Sequence, residues 1–242
     1  MARYFIEVAY HGKNYAGFQI QENAPTIQSE VERVLQIFFK HSFSLTGSSR
    51  TDAGVHALQN FFHFDADFEI HPKIVYNLNA MISSDIVIKS IRLMHPNAHC
   101  RFDASYRYYK YFIYQFKNPF LTDRAFYYPY TLDYELLNAA ASIISAHKDF
   151  TSFSKRNTQV RTFNCHIFKS EWIQEDDCWV YHVKANRFLR GMVRGLVGTM
   201  LQVGRNKLNL DDFNKIIEAR DCTKADFAVP AHGLFLAEVG LQ

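Results

Sequence analysis

Gly47-Ser48-Ser49-Arg50-Thr51-Asp52-Ala53-Gly54-Val55-His56-Ala57 is a short, polar, glycine-bracketed stretch set between apolar runs. Phe43 and Leu45 precede it, and Phe61-Phe62-His63-Phe64 follow it. Small residues with glycine at both ends read as a loop, and the flanking runs read as strands. The loop carries an arginine and an aspartate two residues apart. Catalytic groups concentrate on loops held by a rigid scaffold. Asp52 is therefore the first candidate nucleophile, with Arg50 as the cation beside it. The competing reading of an isolated R-T-D is a turn aspartate that bonds its own backbone, because Asp and Gly are ordinary turn residues.

Working outward, Tyr4, Ile6, Val8 and Tyr10 alternate with Arg3, Phe5 and Glu7 as a first strand. A polar loop with two glycines covers residues 11–21, and Thr26 is placed to cap a helix. Ile27, Val31, Val34, Leu35 and Phe38 form that helix's apolar face, with Gln28, Glu30, Glu32 and Arg33 opposite. A shorter helix begins near Pro72 and carries Ile74, Leu78 and Met81, and Ile86-Val87-Ile88 with Ile91 reads as a further strand. The first half is thus β-α-β-β-α-β.

The second half opens on an aromatic strand over 106–116, with Tyr106, Tyr108, Lys110, Phe112 and Tyr114 on one face and Arg107, Tyr109, Tyr111 and Ile113 on the other. Asp133 caps a helix bearing Leu137, Ala141 and Ile144. Residues 163–172 and 179–184 read as an antiparallel pair joined by an acidic turn. A helix is expected over 188–203 with Met192, Leu196, Met200 and Leu201 inward, and Arg187, Arg190 and Arg194 near its start. Asn209 caps a last helix, with Asp212 placed for a capping box and Phe213, Ile216 and Ile217 buried; a strand over 233–239 closes the chain. Strands and helices mix without the regular alternation of a doubly wound fold. The expected class is α+β, two similar halves with largely antiparallel sheets, divided as 1–104 and 105–242.

Composition narrows the partner. The chain has 242 residues, 48% of them hydrophobic, as in a globular protein. No apolar run is as long as a membrane span. The start carries no signal-peptide pattern, and the four cysteines are far apart, so cytoplasmic reduced thiols are expected. The net charge is only +3, but residues 178–210 hold no acid and include Lys184, Arg187, Arg190, Arg194, Arg205 and Lys207. Residues 104–122 are also acid-free and carry Arg107, Lys110 and Lys117 among many tyrosines. Bases of one sign interleaved with aromatic rings point to a nucleic acid, against a simple solvated basic face. Phosphate-loop, dinucleotide and zinc-protease signatures are absent. His95, His99 and Cys100 make a poor metal set because Pro96 interrupts a helical pair, so no metal is expected. His56 and His63 read as ordinary core or loop histidines. The acids next along the chain, Asp65 and Asp67, lie beyond a strand, which leaves single-carboxylate chemistry centred on Asp52.

With these residues in view, the sequence resembles the tRNA pseudouridine synthase A family over nearly its whole length. Arg50-Thr51-Asp52-Ala53-Gly54-Val55-His56-Ala57 is similar to the family's catalytic loop. Tyr15-Ala16-Gly17-Phe18-Gln19-Ile20-Gln21, Arg101-Phe102-Asp103-Ala104 with Arg107-Tyr108-Tyr109-Lys110-Tyr111, Asp149-Phe150-Thr151-Ser152-Phe153, Lys184-Ala185-Asn186-Arg187-Phe188-Leu189 with Met192-Val193-Arg194, and Gly233-Leu234-Phe235-Leu236 follow the family's order. The resemblance implies a pseudouridine synthase fold, its two halves joined around a central basic cleft. It implies isomerisation of uridine to pseudouridine in the tRNA anticodon stem-loop at positions 38, 39 and 40, without cofactor or metal, by a homodimer. By the same resemblance Asp52 is the nucleophile, Tyr109 stacks on the target base, and Arg194 pairs with the aspartate. Leu234 or Leu236 packs beneath the base. Arg50 takes the place of the flipped base or holds a phosphate, and the run with Lys184, Arg187 and Arg190 holds the backbone. Ser48-Ser49, Phe18 and Arg190-Gly191 depart from the family's usual Ala-Gly, Trp and His-His. The alternative is a non-catalytic tRNA-binding protein, or a divergent paralogue with another RNA target, on the same fold. Arg50, Asp52, Tyr109 and Arg194 are all present, where a degenerate copy is expected to lose one.

Overall fold

The computed structural model describes residues 1–156 and 160–241. In chain order the elements are β1 (Ala2–Tyr10), α1 (Ile27–Phe39), β2 (Thr46–Gly47), β3 (His56–Ala66), α2 (Val75–Met81), β4 (Ile86–Met94), β5 (Ala104–Tyr114), β6 (Phe126–Tyr127), α3 (Tyr134–Ala146), β7 (Ile167–Glu175), β8 (Cys178–Ala185), α4 (Met192–Gly204), α5 (Leu210–Glu218) and β9 (Leu234–Leu241). They make two compact units, residues 1–105 with most of β9, and residues 106–234. The α+β class and the mainly antiparallel pairing expected from the sequence are what the chain adopts.

In the first unit β1 pairs antiparallel with β3 and with β4, and β2 adds to β3. Tyr4 opposes Phe64 and Ile6 opposes Phe62. These rings and branched side chains fill the core side of the sheet, but Phe5 is also buried, at 3% exposure, against His63. The last strand returns to this unit: β9 runs parallel to the start of β3, with His56 opposite Phe235 and Ala57 opposite Leu236. Thr26 caps α1 as its sequence suggests. Its hydroxyl accepts from Ser29 N while the Ser29 hydroxyl accepts from Thr26 N, a reciprocal box that satisfies two of the helix's free donors. The polar face of α1 differs from expectation at Gln28. It is buried, and Nε2 donates to Leu45 O and Glu32 while Oε1 accepts from Ile20 N. The start of α1 is enclosed by chain on that side, and a buried amide is tolerated there because its bonds are made.

In the second unit β8 lies between β5 and β7, antiparallel to both, and β6 adds parallel to β5. Tyr109, Tyr111 and Ile113 are the buried face of β5. Asp176, at φ 48, lets the chain reverse between β7 and β8. α3 packs on β7, and α4 and α5 pack on α3 and on each other. α3 is capped by Asp133, whose carboxylate accepts from Leu136 N. Three expectations shift. β7 begins at Ile167, because Asn164 bridges to Asp149 instead of joining the sheet. α4 begins only at Met192, because Gly191 at φ 75 turns the chain just before it. Arg187 and Arg190 therefore precede that helix and only Arg194 stands on it. At α5 the Asn209 side chain accepts from Asp212 N, but the Asp212 carboxylate pairs with Lys215 rather than closing a box, and Ile216 is half-buried.

Candidate active site

The loop of residues 48–55 hangs between β2 and β3, and the chain braces it from three directions. From the 11–19 segment, Phe18 N donates to Thr51 O at 3.1 Å and Gly12 N donates to His56 Nδ1 at 3.0 Å. Contact there is close enough to require glycine. A Cβ on Gly12 would meet Val55 O at 2.0 Å, and one on Gly17, which sits at φ 112, would meet Thr51 O at 2.9 Å. From β3, Phe61 O accepts from Ser48 N, and the Asn60 side chain donates to Ser49 O at 2.8 Å. From β1, the Tyr10 hydroxyl bonds that of Thr51 at 2.8 Å. Within the loop, Val55 N donates to Asp52 O in a turn whose third residue, Gly54, sits at φ 77.

Asp52 is half-buried at the head of that turn and Arg50 is exposed. Within their unit, among the described residues, the Asp52 carboxylate accepts no hydrogen bond and forms no ion pair, with Arg50 or any other group. It does not cap its own backbone, which removes the observation that an ordinary turn aspartate would supply. A rigid loop thus presents an unengaged carboxylate. Arg50, read from the sequence as its fixed cation, is exposed and forms no ion pair with it among the described residues.

Sequence reasoning missed the residues behind the loop. Asn60 is completely buried inside the apolar run of β3, and Tyr10 and Thr51 are nearly so. The signal was there: an asparagine at the head of the run Phe61-Phe62-His63-Phe64 must find partners for its amide if it is buried with those rings. His56 lies between the rings of His11 at 4.3 Å and Phe235 at 4.6 Å, as a core histidine does. His63 is a core histidine too. It contacts Cys100 Sγ at 3.1 Å, and burial lowers its pKa to about 4. His99 stacks edge-on to His63, with its Nδ1 accepting from Arg101 N. Among the described residues no group of three or more His, Cys, Asp or Glu side chains is placed to hold a metal.

The second unit carries the other candidates. Tyr109 opposes Val183, and its largely buried ring meets Phe188 edge-to-face at 4.9 Å. Arg194 reaches from the first turn of α4 to the 227–229 segment, with Nε donating to Val229 O at 2.8 Å and Nη2 to Phe227 O at 3.5 Å. That segment lies close on the small residues of α4. A Cβ on Gly198 would meet Asp226 O at 2.2 Å, and the Thr199 hydroxyl accepts from Asp226 N. Lys184 Nζ sits 3.4 Å from the Tyr106 ring centroid, a cation–π pair on the sheet surface. Arg187 is half-buried and Arg190 exposed. Burial pushes the Cys165 thiol up to about 11, with the Arg187 guanidinium acting against the rise. Leu234 keeps 7% of its surface exposed, whereas Leu236, opposite Ala57 in the first unit, keeps none. Among the described residues no helix is long and apolar enough to cross a membrane.

A family model described as tRNA pseudouridine synthase matches residues 140–240. The chain is 45% identical to tRNA pseudouridine synthase A of Parabacteroides distasonis over 241 residues, which is 99% of this chain and 96% of the relative. It is 43% identical to the protein of that name in Bacteroides thetaiotaomicron, over 99% of this chain and 90% of the relative. A more distant relative of the same name, from Staphylococcus aureus, is 35% identical over 99% of this chain and 91% of its own length. Full-length similarity at these levels means that the chain belongs to the tRNA pseudouridine synthase A family, a family of isomerases.

Proposed function

We propose that the protein isomerises uridine to pseudouridine in the anticodon stem-loop of tRNA, at positions 38, 39 and 40, with Asp52 as the nucleophile. The observation that carries this reading is the Asp52 carboxylate, presented without a partner in its unit by a loop bonded on three sides. In the reaction the C1′–N1 bond of uridine breaks, the uracil turns while held, and a C1′–C5 bond forms. N1 gains a proton and C5 loses its own. Asp52 assists cleavage by attack on the nucleoside, and no redox or group-transfer partner enters the balance. The target base must leave its stack, at a cost of a few kcal/mol. Stacking on Tyr109, at about 1–3 kcal/mol per base, offsets part of this.

The family resemblance assigns Arg194 to the catalytic aspartate; its Nε and Nη2 donate to the Val229 and Phe227 carbonyls, which fix its head. Of the two leucines, Leu234 is the better contact for a base, because Leu236 has no surface left. Lys184, Arg187 and Arg190 hold the RNA backbone, and Arg50 a phosphate or the vacated stack. The same reading takes the protein as a cytoplasmic homodimer that works without cofactor. The test uses tRNA tritiated at C5 of uridine. Wild type is expected to release tritium to water and Asp52→Ala to release none; tight tRNA binding by both proteins with release by neither, across a panel of tRNAs, refutes catalysis.

A further inference from the structure

We propose that Tyr10 and Asn60 are positioning residues for the reaction, a buried hydrogen-bonded brace that sets Asp52 through Thr51; this rests on Asp52 being the nucleophile. Among the described residues the Asp52 carboxylate has no side-chain or backbone partner in its unit, so its position is set by the backbone that carries it. Thr51, the residue before it, is held at both ends: its carbonyl by Phe18 N at 3.1 Å and its hydroxyl by Tyr10 at 2.8 Å. Asn60 secures the other partner. Its Nδ2 donates to the Tyr10 hydroxyl at 3.1 Å and to Ser49 O at 2.8 Å, and its Oδ1 accepts from Phe61 N at 2.9 Å. One amide thus anchors the loop on both sides of Arg50.

All three side chains lie at or below 8% exposure, and Asn60 at 0%. Cohesion does not call for the Tyr10–Thr51 bond. A phenylalanine at Tyr10 with a valine at Thr51 would fill the same space, and replacing both partners of a buried bond by apolar groups is close to neutral. What the polar set adds is a fixed distance from β1 and β3 to the backbone on which Asp52 stands. Placement at this precision matters to rate, since an error of about 1 Å at the reacting group can cost on the order of 100-fold.

The test measures single-turnover tritium release, tRNA affinity and thermal midpoint for Tyr10→Phe, Thr51→Val, their double variant, Thr51→Ser and Asp52→Ala. Tyr10→Phe and Thr51→Val each remove one end of the same bond, so each should slow release by about 10- to 100-fold. Affinity should stay within about twofold, which separates placement from binding. The double variant should be no slower than the slower single, since two members of one brace do not add. Thr51→Ser restores the hydroxyl and should recover most of the rate. A full rate in Tyr10→Phe, a double variant slowed by the product of the two effects, or Thr51→Ser as slow as Thr51→Val would overturn the brace. Asp52→Ala separates the two failures. Release at the wild-type rate removes the nucleophile, and the brace with it; silence in Asp52→Ala beside a full rate in Tyr10→Phe removes the brace alone.

Discussion

Gly17→Ala is the substitution that most directly connects backbone geometry to the candidate nucleophile. Gly17 sits at φ 112, a region that side chains rarely adopt, and holding alanine there costs on the order of 1–3 kcal/mol. The added methyl would also stand 2.9 Å from Thr51 O and 3.4 Å from Ala53 N. Neither is the loose end of a flexible side chain. Thr51 O is already engaged by Phe18 N, and a shift of the carbonyl by a few tenths of an ångström weakens a bond worth about 1 kcal/mol. The sum is about 2–4 kcal/mol, expected as a fall of roughly 1 M in the urea midpoint at a slope of about 2–3 kcal/mol/M. Well below that midpoint the variant remains folded, so its turnover reports loop placement rather than unfolding. Release of C5 tritium should drop by about 10-fold or more while tRNA affinity holds. Gly191→Ala supplies the comparison. It shares the positive φ, at 75°, but its methyl's nearest neighbour would be the flexible Lys155 side chain, at 3.1 Å, so it should lose about 1 kcal/mol. If Gly17→Ala matched wild type in both midpoint and turnover, the claim that the 11–19 segment sets the loop would be wrong.

Burial holds His63 neutral with a folded pKa of about 4 against an ordinary value of 6.5, so the unfolded chain binds its proton first; stability is complete above pH 7 and falls by up to about 3 kcal/mol as pH drops through 6.5 to 4. Urea titrations across that window should show the fall, and His63→Phe should reduce it; an unchanged pH slope in His63→Phe would assign the loss to other groups. For RNA binding, Arg190→Ala and Lys184→Ala should each weaken tRNA affinity across sequences and lower the slope of log Kd against log salt by about 1; a slope that stays put shows that the side chain touches no phosphate.

What the sequence could show divides along the range of the interactions. Elements set by local pattern are read directly. The alternation of Tyr4 to Tyr10 makes β1, Thr26 makes the start of α1, and Asp133 the start of α3. Elements set by distant chain are not. The partner of β9 is the start of β3, nearly 180 residues earlier, and no periodicity within residues 233–239 names that partner. Gln28 has the spacing of a solvent-facing residue and is buried only because Ile20 and Leu45 come to it. The start of α4 is hidden for a related reason: residues 188–191 fit a helical pattern, but Gly191 adopts φ 75 where the chain meets Lys155. At the site, motif spacing singled out Asp52, while the isolation of its carboxylate from Arg50 is a property of three-dimensional placement.

The first unit departs from the ordinary rules of a core most densely at the loop. Glu7, Thr26, Gln28 and His63 are buried singly elsewhere in it, but Ser48, Ser49, Thr51, His56 and Asn60 are buried together within residues 48–60. Among the described residues the Ser48 hydroxyl even lacks a hydrogen-bond partner, a condition that costs about 1–3 kcal/mol at a buried site. Such polar burial is weak cohesion, since an apolar filling would gain more from leaving water. A chain under demand for stability alone would place phenylalanine and leucine there, as it does along β3 beyond Asn60. Polar groups, unlike apolar ones, fix direction as well as distance, and the backbone before Asp52 is held by directed bonds to Tyr10 and Phe18. Local rules give way where function sets the terms, and in this unit they give way around the residue that the motif had already marked.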